Sequence, residues 1–396
     1  MQSLEKVAST QQSMFWLVSG CAFTSMASMR ICDAMLPALS QEFGISAGQA
    51  ASAISAFALA YGVLQLVYGP LGDRFGKTRV IGTATLACSL GSALVASAGS
   101  LEWLVLSRAL SGAAAAGIIP LTMAWIGDTV AYEERQPVLA RLLGATVFGM
   151  ICGQWAGGLL ADVLGWRSAF WGLTLVFCAT GALLLKHASA APRQAAPAAG
   201  GVWRAYQAVL QKPWAQVVLL VTAMEGAFAV SALAFIPSYL HLRFGLAMPV
   251  AGGLVALYGI GGLLYSRTAR WMLQRWGEQG LARLGGLATG LAYGSIALAP
   301  DWQWVPPACL LAGFGFYALH NTLQTNATQM SPTHRGTAVS LFACCLFFGQ
   351  SLGVVAAGWV TDHFSARAVF ATSGLGLLVL GLLFAGAVQR RARAGG

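Results

Sequence analysis

Gly69-Pro70-Leu71-Gly72-Asp73-Arg74-Phe75-Gly76-Lys77-Thr78-Arg79 stands between two long apolar runs and carries one carboxylate among three cations on a glycine-rich turn. A turn this short, joining runs of membrane-crossing length, reads as a hairpin whose basic residues stay on one face of a bilayer. Composition extends the same reading to the whole chain. The 396 residues are 57% hydrophobic and 9% charged, with a mean hydropathy of +0.68. That is too little charge to cover a soluble globule of this size, which argues against a water-soluble enzyme. Each spanning helix needs about 20 apolar residues, so at roughly 33 residues per helix and loop the length gives about twelve spans. The alternating strands of an outer-membrane barrel are absent, and the 48 glycines suit helices packed closely in lipid.

Apolar windows put spans 1 to 12 at 13–38, 47–70, 78–98, 101–127, 138–161, 166–186, 214–240, 248–270, 281–299, 303–330, 336–361 and 366–389. An even number leaves both termini on one side. On that side fall eighteen of the 23 Lys and Arg residues, against Arg167, Arg243 and Arg367 on the other, and the positive-inside rule makes the richer side cytoplasmic. The net charge of +10 therefore reflects topology, with no nucleic-acid partner. Tryptophans gather near the two boundaries, Trp155 alone lying well inside a span. The eight cysteines fall in apolar stretches without CxxC or His/Cys ligand spacing and read as packing residues, with neither disulfide nor metal. No small-residue cleavage signature follows MQSLEKVASTQQS, so the first span reads as a retained helix.

The stretch from Lys186 to Pro213, rich in Pro, Ala, Gly and basic residues, is the one long loop. It divides the chain into an amino-terminal bundle (1–186), a cytoplasmic linker (187–213) and a carboxy-terminal bundle (214–396). The halves repeat at a spacing of 200 residues: Arg135 with Arg335, Gly149 with Gly349, Gly153 with Gly353, Asp162 with Asp362, Arg167 with Arg367, and Pro37 with Pro237. One residue further on, Arg74-Phe75-Gly76 is answered by Arg275-Trp276-Gly277. Asp, Arg and Pro matching in one register mark a parallel duplication.

The turn from Gly69 to Arg79 resembles the signature loop of the major facilitator superfamily. The resemblance implies an all-α polytopic membrane protein with twelve transmembrane helices in two pseudo-symmetric six-helix bundles. It also implies a conformational latch made of Gly69, Asp73, Arg74, Gly76 and Lys77, with Asp73 set against the amino-terminal end of span 11 near Gly336 so that the cytoplasmic side is held shut. The second copy has Gln274 in place of Asp73, which weakens any latch there. Span 4 carries Leu104, Arg108 and Gly112, similar to the superfamily's arginine motif. Span 5 carries Gly149, Gly153, Gln154, Gly157 and Gly158, resembling the helix-packing motif of drug/proton antiporters except that Gln154 stands where that pattern has proline. The glycines alone also suit ordinary close packing.

Charge inside a span costs several kcal/mol, roughly, so each instance is a functional candidate. Arg30 and Asp33 lie on span 1, Arg108 on span 4, Glu225 on span 7, and His320 with Asn321 and Gln324 on span 10. The resemblance implies that these four helices line a central cavity. Asp33 and Arg108 both come out about 7 to 10 Å deep at 1.5 Å per residue, so the pair is expected to meet, with Arg30 on the same helix face as a second cation. A carboxylate between two cations takes up a proton when substrate or a conformational change displaces one of them, which makes Asp33 and Arg108 a proton-coupling device; a static ion pair orienting the two helices is the alternative. Glu225 is either a second proton site, the anion that recognises a substrate, or a structural partner of His320. Arg30, Trp155, Glu225, His320, Asn321 and Gln324 are the expected substrate-binding residues. The pairs Asp162/Arg167 and Asp362/Arg367 are expected to tie spans 5 and 11 to the helices that follow them. Pro37, Pro120 and Pro237 are expected to bend helices or mark their ends.

Together these residues describe a monomeric secondary transporter of a bacterial inner membrane, with both termini cytoplasmic, surrounded by lipid and needing no cofactor beyond a proton gradient. Scarce lysine among abundant alanine and glycine hints at a GC-rich bacterial genome. The expected activity is proton-coupled export of a small amphipathic compound, a drug or a metabolite such as a siderophore. Proton-coupled uptake of an organic anion is the alternative, with Arg30 and Arg108 as the clamp. A non-transporting membrane sensor on the same scaffold is a third reading. An enzyme is not expected, since HExxH, the GxxxxGK[ST] loop and paired intramembrane aspartates are all missing.

Overall fold

The computed structural model describes residues 2–188, 199–331 and 335–394. Ten residues of the expected linker, 189–198, among them Arg193, lie outside the described residues. Helices account for nearly all the rest. Span 1 is made of Gln2–Arg30 and Leu36–Phe43, span 2 of Ala47–Ala50 and Ser52–Phe75, span 3 of Lys77–Ala96, and span 4 of Leu101–Ala115 and Ile118–Thr129. Spans 5 and 6 are Tyr132–Val163 and Trp166–His187, and a short helix, Ala199–Leu210, follows. Span 7 is Pro213–Glu225, a π-helical turn Gly226–Val230, and Ser231–Phe244. Spans 8 and 9 form one element, Met248–Leu298; spans 10, 11 and 12 are Val305–Gln329, Arg335–His363 and Ala366–Ala394.

Among the described residues nine helices are long and apolar enough to cross a membrane, counting Met248–Leu298 once although it turns back at Gly277. With spans 1 and 10 added, this fits the twelve crossings expected. Span 10 falls short in hydropathy because it carries His320, Asn321, Gln324 and Asn326. The two hairpin turns flagged by the repeat are both real turns: Gly76 has φ +89° and Gly277 φ +62°, a region open to glycine and strained for other residues. Pro37 sits in the first turn of Leu36–Phe43, where its missing N–H costs nothing. Pro120 occupies the same kind of place in Ile118–Thr129, whereas Pro237 lies inside its helix.

The 200-residue register is kept in the packing. A methyl group at Gly153 would strike the backbone of Ala27, and one at Gly353 the backbone of Ala227. Span 5 thus lies against span 1 as span 11 lies against span 7, close enough that only glycine fits. The six helices of each half pack together, and the halves meet along spans 2 and 11, where Gly62 abuts Phe347, and along spans 5 and 8, where Gly259 abuts Val147, the contacts reaching the end away from the linker. There Gly158 abuts the backbone of Met248 between spans 5 and 8, and Gly358 abuts Gly48 between spans 11 and 2, again 200 residues apart.

The loop pairs differ from expectation. Arg167 pairs with Glu42 and donates to the Ala98 carbonyl at 2.7 Å, fastening span 6 to the ends of spans 1 and 3, because its helix starts beside both. Asp362 accepts from Ser46 Oγ at 2.5 Å and from the Gly48 amide at 3.1 Å, so it joins span 11 to span 2 of the opposite bundle.

Candidate functional site

Two buried carboxylates and one cavity organise the interior. Asp33 sits in the irregular turn between Gln2–Arg30 and Leu36–Phe43, fully enclosed. Its Oδ2 accepts from Arg30 Nη1 at 3.0 Å and from Gln154 Nε2 at 3.2 Å, while Oδ1 has no protein donor. Gln154, the departure from the antiporter pattern, therefore completes the ring around Asp33. Arg108 is also fully enclosed but does not pair with Asp33. Its Nη1 donates to the Ser28 carbonyl at 3.1 Å and its Nε to the Ala53 carbonyl at 3.4 Å, with the guanidinium 4.2 Å from the Phe57 ring centroid. The expected Asp33–Arg108 pair is thus replaced by Asp33–Arg30. Arg30 is near enough in sequence to reach across the break in span 1, whereas Arg108 gives Nη1 and Nε to backbone carbonyls of spans 1 and 2 and its buried Nη2 has no partner among the described residues.

Glu225 closes the first helix of span 7, immediately before the π-helical turn. Such turns expose irregular backbone and recur at functional positions. Glu225 is fully enclosed; its Oε2 lies 2.8 Å from His320 Nδ1, and its Oε1 is unpartnered. The imidazole of His320 stacks on Phe316 at 5.0 Å and lies 5.2 Å from the Phe342 ring, which fixes its plane.

The cavity, of about 340 Å³, lies between the bundles at the linker end. Spans 4 and 5 give one wall, mainly Ile119, Met123, Leu139, Leu142, Leu143 and Val147 with Thr146 the polar exception. Spans 8 and 10 give the other, with Ser266, Tyr317, His320, Asn321 and Gln324. One wall is greasy and the other wet, a shape suited to an amphipathic molecule.

Of the expected substrate-binding residues, His320, Asn321 and Gln324 line this cavity, and Glu225 backs it through His320. Arg30 is buried with Asp33 instead. Trp155 does not line it: its side chain is nearly half exposed on the flank of span 5, beside Gly253 of span 8. Thr146, Ser266 and Tyr317 were missed in the sequence, where a lone hydroxyl in an apolar run gives no signal. At the signature loop, Asp73 is half exposed and pairs with Lys77 at 3.2 Å, and Lys77 reaches Asp128 of span 4 at 2.7 Å. Arg74 lies over the Phe75 ring at 5.0 Å, and Gly69 has open space beside it. Among the described residues the partners found for Asp73 and Lys77 lie within span 2, span 3 and span 4; residues 332–334, which lead into span 11, lie outside the described residues.

The comparisons with known proteins agree with this geometry. Residues 18–335 match the family model described as Major Facilitator Superfamily. The chain belongs to the major facilitator superfamily, whose members are transporters and not enzymes. An uncharacterised MFS-type transporter of Bacillus subtilis, YceJ, is 24% identical over 361 residues, covering 89% of this chain and 90% of the relative. A chloramphenicol resistance protein of Streptomyces lividans is 26% identical over 335 residues, covering 83% and 84%. An efflux pump of Gibberella moniliformis is 32% identical over 142 residues, covering 34% of this chain and 24% of the pump. Among solved structures, the nucleoside transporter NupG superposes with a TM-score of 0.76 at 14% identity, covering 94% of this chain and 98% of that one. A bacterial homologue of the human lysosomal transporter Spinster, in an inward-facing and unoccupied conformation, superposes with a TM-score of 0.75 at 17% identity, covering 96% of both chains. At these identities the structural likeness establishes the fold.

Proposed function

We propose that this chain exports a small amphipathic compound from the bacterial cytoplasm in exchange for protons, by alternating access between its two bundles. The observation that carries the reading is the cavity with one apolar and one polar wall, backed by a buried carboxylate and lying at the arginine-rich end of the molecule. If that end is cytoplasmic, as the positive-inside rule requires, the conformation described is the one in which an exporter loads. Similarity to a chloramphenicol resistance protein and to an efflux pump supports export over uptake. In this reading Glu225 carries the coupled proton, His320, Asn321 and Gln324 hold the substrate, and Asp33 with Arg30, Arg108 and Gln154 is the second carboxylate site. The chain acts as a monomer in the inner membrane, and closure of the cytoplasmic side brings Asp73 to span 11. Organic-anion uptake takes second place, since Arg30 and Arg108 are both sealed from the cavity.

Energised inverted vesicles test the proposal. Addition of a transported solute should collapse the pH gradient with the wild type and with Asp33→Asn, and should fail to do so with Glu225→Gln. Loss in Asp33→Asn alone would move the proton site to span 1. Uptake of an anion with protons into right-side-out vesicles would replace export altogether.

A further inference from the structure

Spans 2 and 11 run together from the end away from the linker, with Gly358 against Gly48 and, further in, Gly62 so close that a methyl group there would strike Phe347 and the Cys344 carbonyl. One turn beyond Gly62 stands Leu66. Pro70 lies inside the same helix and has no N–H, so it leaves the carbonyl four residues before it without a helical donor. Where water is scarce such a carbonyl needs a donor from elsewhere. The linker supplies it: Tyr206, on the short helix Ala199–Leu210, donates its hydroxyl to the Leu66 carbonyl at 3.1 Å. Burial, and Cys344 of span 11 nearby, push the Tyr206 phenol above its ordinary range, so the oxygen keeps its proton and donates. The rest of this helix is fastened to the carboxy-terminal half. It packs on span 11 and on the start of span 7, with Val209 fully enclosed. Gln216 Nε2 donates to the Leu210 carbonyl at 3.0 Å, and Lys212 Nζ to Ser331 Oγ, just past span 10, at 3.1 Å. Trp203, Arg204 and Gln207 are left on its exposed side. One half thus carries the helix, and the other receives its hydrogen bond.

Tyr206 stands on the line along which the cytoplasmic side would close. Asp73 comes eleven residues after Gly62, and Gly336 comes eleven before Phe347, so on antiparallel helices Asp73 and Gly336 fall level with each other. At 1.5 Å per residue they lie about 16 Å past the Gly62 contact, with Leu66 about 6 Å past it. Spans 2 and 11 must therefore draw together across the place of Tyr206 before Asp73 can reach span 11. We propose that Tyr206 is a positioning residue for transport: seated on the Leu66 carbonyl, it holds the linker helix between spans 2 and 11 and props the cytoplasmic side open until the helix withdraws. Pro70 builds the seat, since another residue there would satisfy Leu66 from within span 2. The inference rests on the alternating-access reading and supplies the element that times it. With the prop in place the outer ends of spans 2 and 11 stay joined through Asp362; its withdrawal lets Asp73 approach span 11 and frees those ends to part.

Hydrogen exchange of the full chain in lipid nanodiscs tests this without any ligand. Tyr206→Phe keeps the ring and loses the hydroxyl, so the prop weakens by one hydrogen bond. Amide exchange at the outer ends of spans 2 and 11, residues 44–50 and 358–365, should then quicken about fivefold. Exchange in the turn from Gly69 to Arg79 should slow as Asp73 spends more time against span 11. Tyr206→Ala, which removes the ring as well, should go further in both directions; if it fails to fold, the near-isosteric Phe variant carries the test. Pro70→Ala returns an amide donor to Leu66, so it should quicken the outer ends by itself and leave Tyr206→Phe little to add. A mere staple would loosen residues 199–210 and nothing at the outer ends, which lie about 27 Å from Leu66 along span 2. Faster exchange confined to the linker helix, outer ends unchanged in both Tyr206 variants, or full additivity of Pro70→Ala with Tyr206→Phe would overturn the inference. If the outer ends respond as expected while no solute discharges the pH gradient of inverted vesicles, the export reading fails and the prop stands. If a solute discharges that gradient at the wild-type rate in both Tyr206 variants and their outer ends exchange as in the wild type, the prop fails and export stands.

Discussion

Asp33 and Glu225 sit on spans that the repeat makes equivalent, yet they are not repeat partners. In the 200-residue register Glu225 answers to position 25, eight residues before Asp33, which places the two acids about 12 Å apart along the helix axis. Asp33 lies toward the end away from the linker and is held by Arg30 and by the amide of Gln154. Glu225 is held by His320, which lines the cavity. The two halves offer similar scaffolds but different partners for the buried acid, a guanidinium and an amide in one and an imidazole in the other. Of the two acids, Glu225 is the one whose partner lines the cavity.

The largest effect that separates the two acids is on stability. Asp33→Ala leaves Arg30 buried without its partner and should cost about 3–5 kcal/mol; Glu225→Gln, with a hydrogen bond still available to His320, should leave the melting temperature in nanodiscs nearly unchanged while abolishing gradient discharge. Should the Asp33 variant prove as stable as the wild type, the pairing with Arg30 assigned to it falls. Next in size is the shared scaffold. Gly153→Ala and Gly353→Ala should each cost about 1–3 kcal/mol by overpacking, and by similar amounts if the halves are true copies, whereas Gly144→Ala on the same span 5 meets open space and should be neutral. Smaller again, Asp362→Asn weakens the hydrogen bonds to Ser46 and Gly48 and should shift cysteine accessibility at the closed end by an equilibrium change of about 1–2 kcal/mol; Asp162→Asn, its repeat partner, should have no effect. Smallest is Gln154→Ala, which removes one of two donors to Asp33 and should lower the unfolding free energy by about 1–2 kcal/mol in denaturant titration.

The scaffold was largely legible in the sequence because it rests on repeated features. Apolar run length sets the crossings, the 200-residue register of Gly149, Gly153 and Asp162 shows the duplication, and Gly76 with Gly277 marks both turns. The residues from His320 to Gln324 were legible too, since polar groups inside a span are rare enough to stand out. What was not legible depended on helix rotation and on chain breaks. Depth alone allowed Asp33 to meet Arg108, but the break after Arg30 re-aims the carboxylate and the carbonyls of Ser28 and Ala53 capture the arginine. Trp155 lies at a plausible depth on the wrong face of span 5. Arg167 and Asp362 found partners remote in sequence, Glu42 and Ser46, that no loop pattern could indicate.

The clasp at the closed end is one-sided. Between spans 2 and 11 it combines close glycine contact with two hydrogen bonds to Asp362; between spans 5 and 8, where Gly158 meets Met248, no side-chain hydrogen bond is found among the described residues. A pair of rigid bodies joined this way opens like a door hung on one jamb. The seam between spans 5 and 8, where half-exposed Trp155 lies beside Gly253, is the one left without such a fastening.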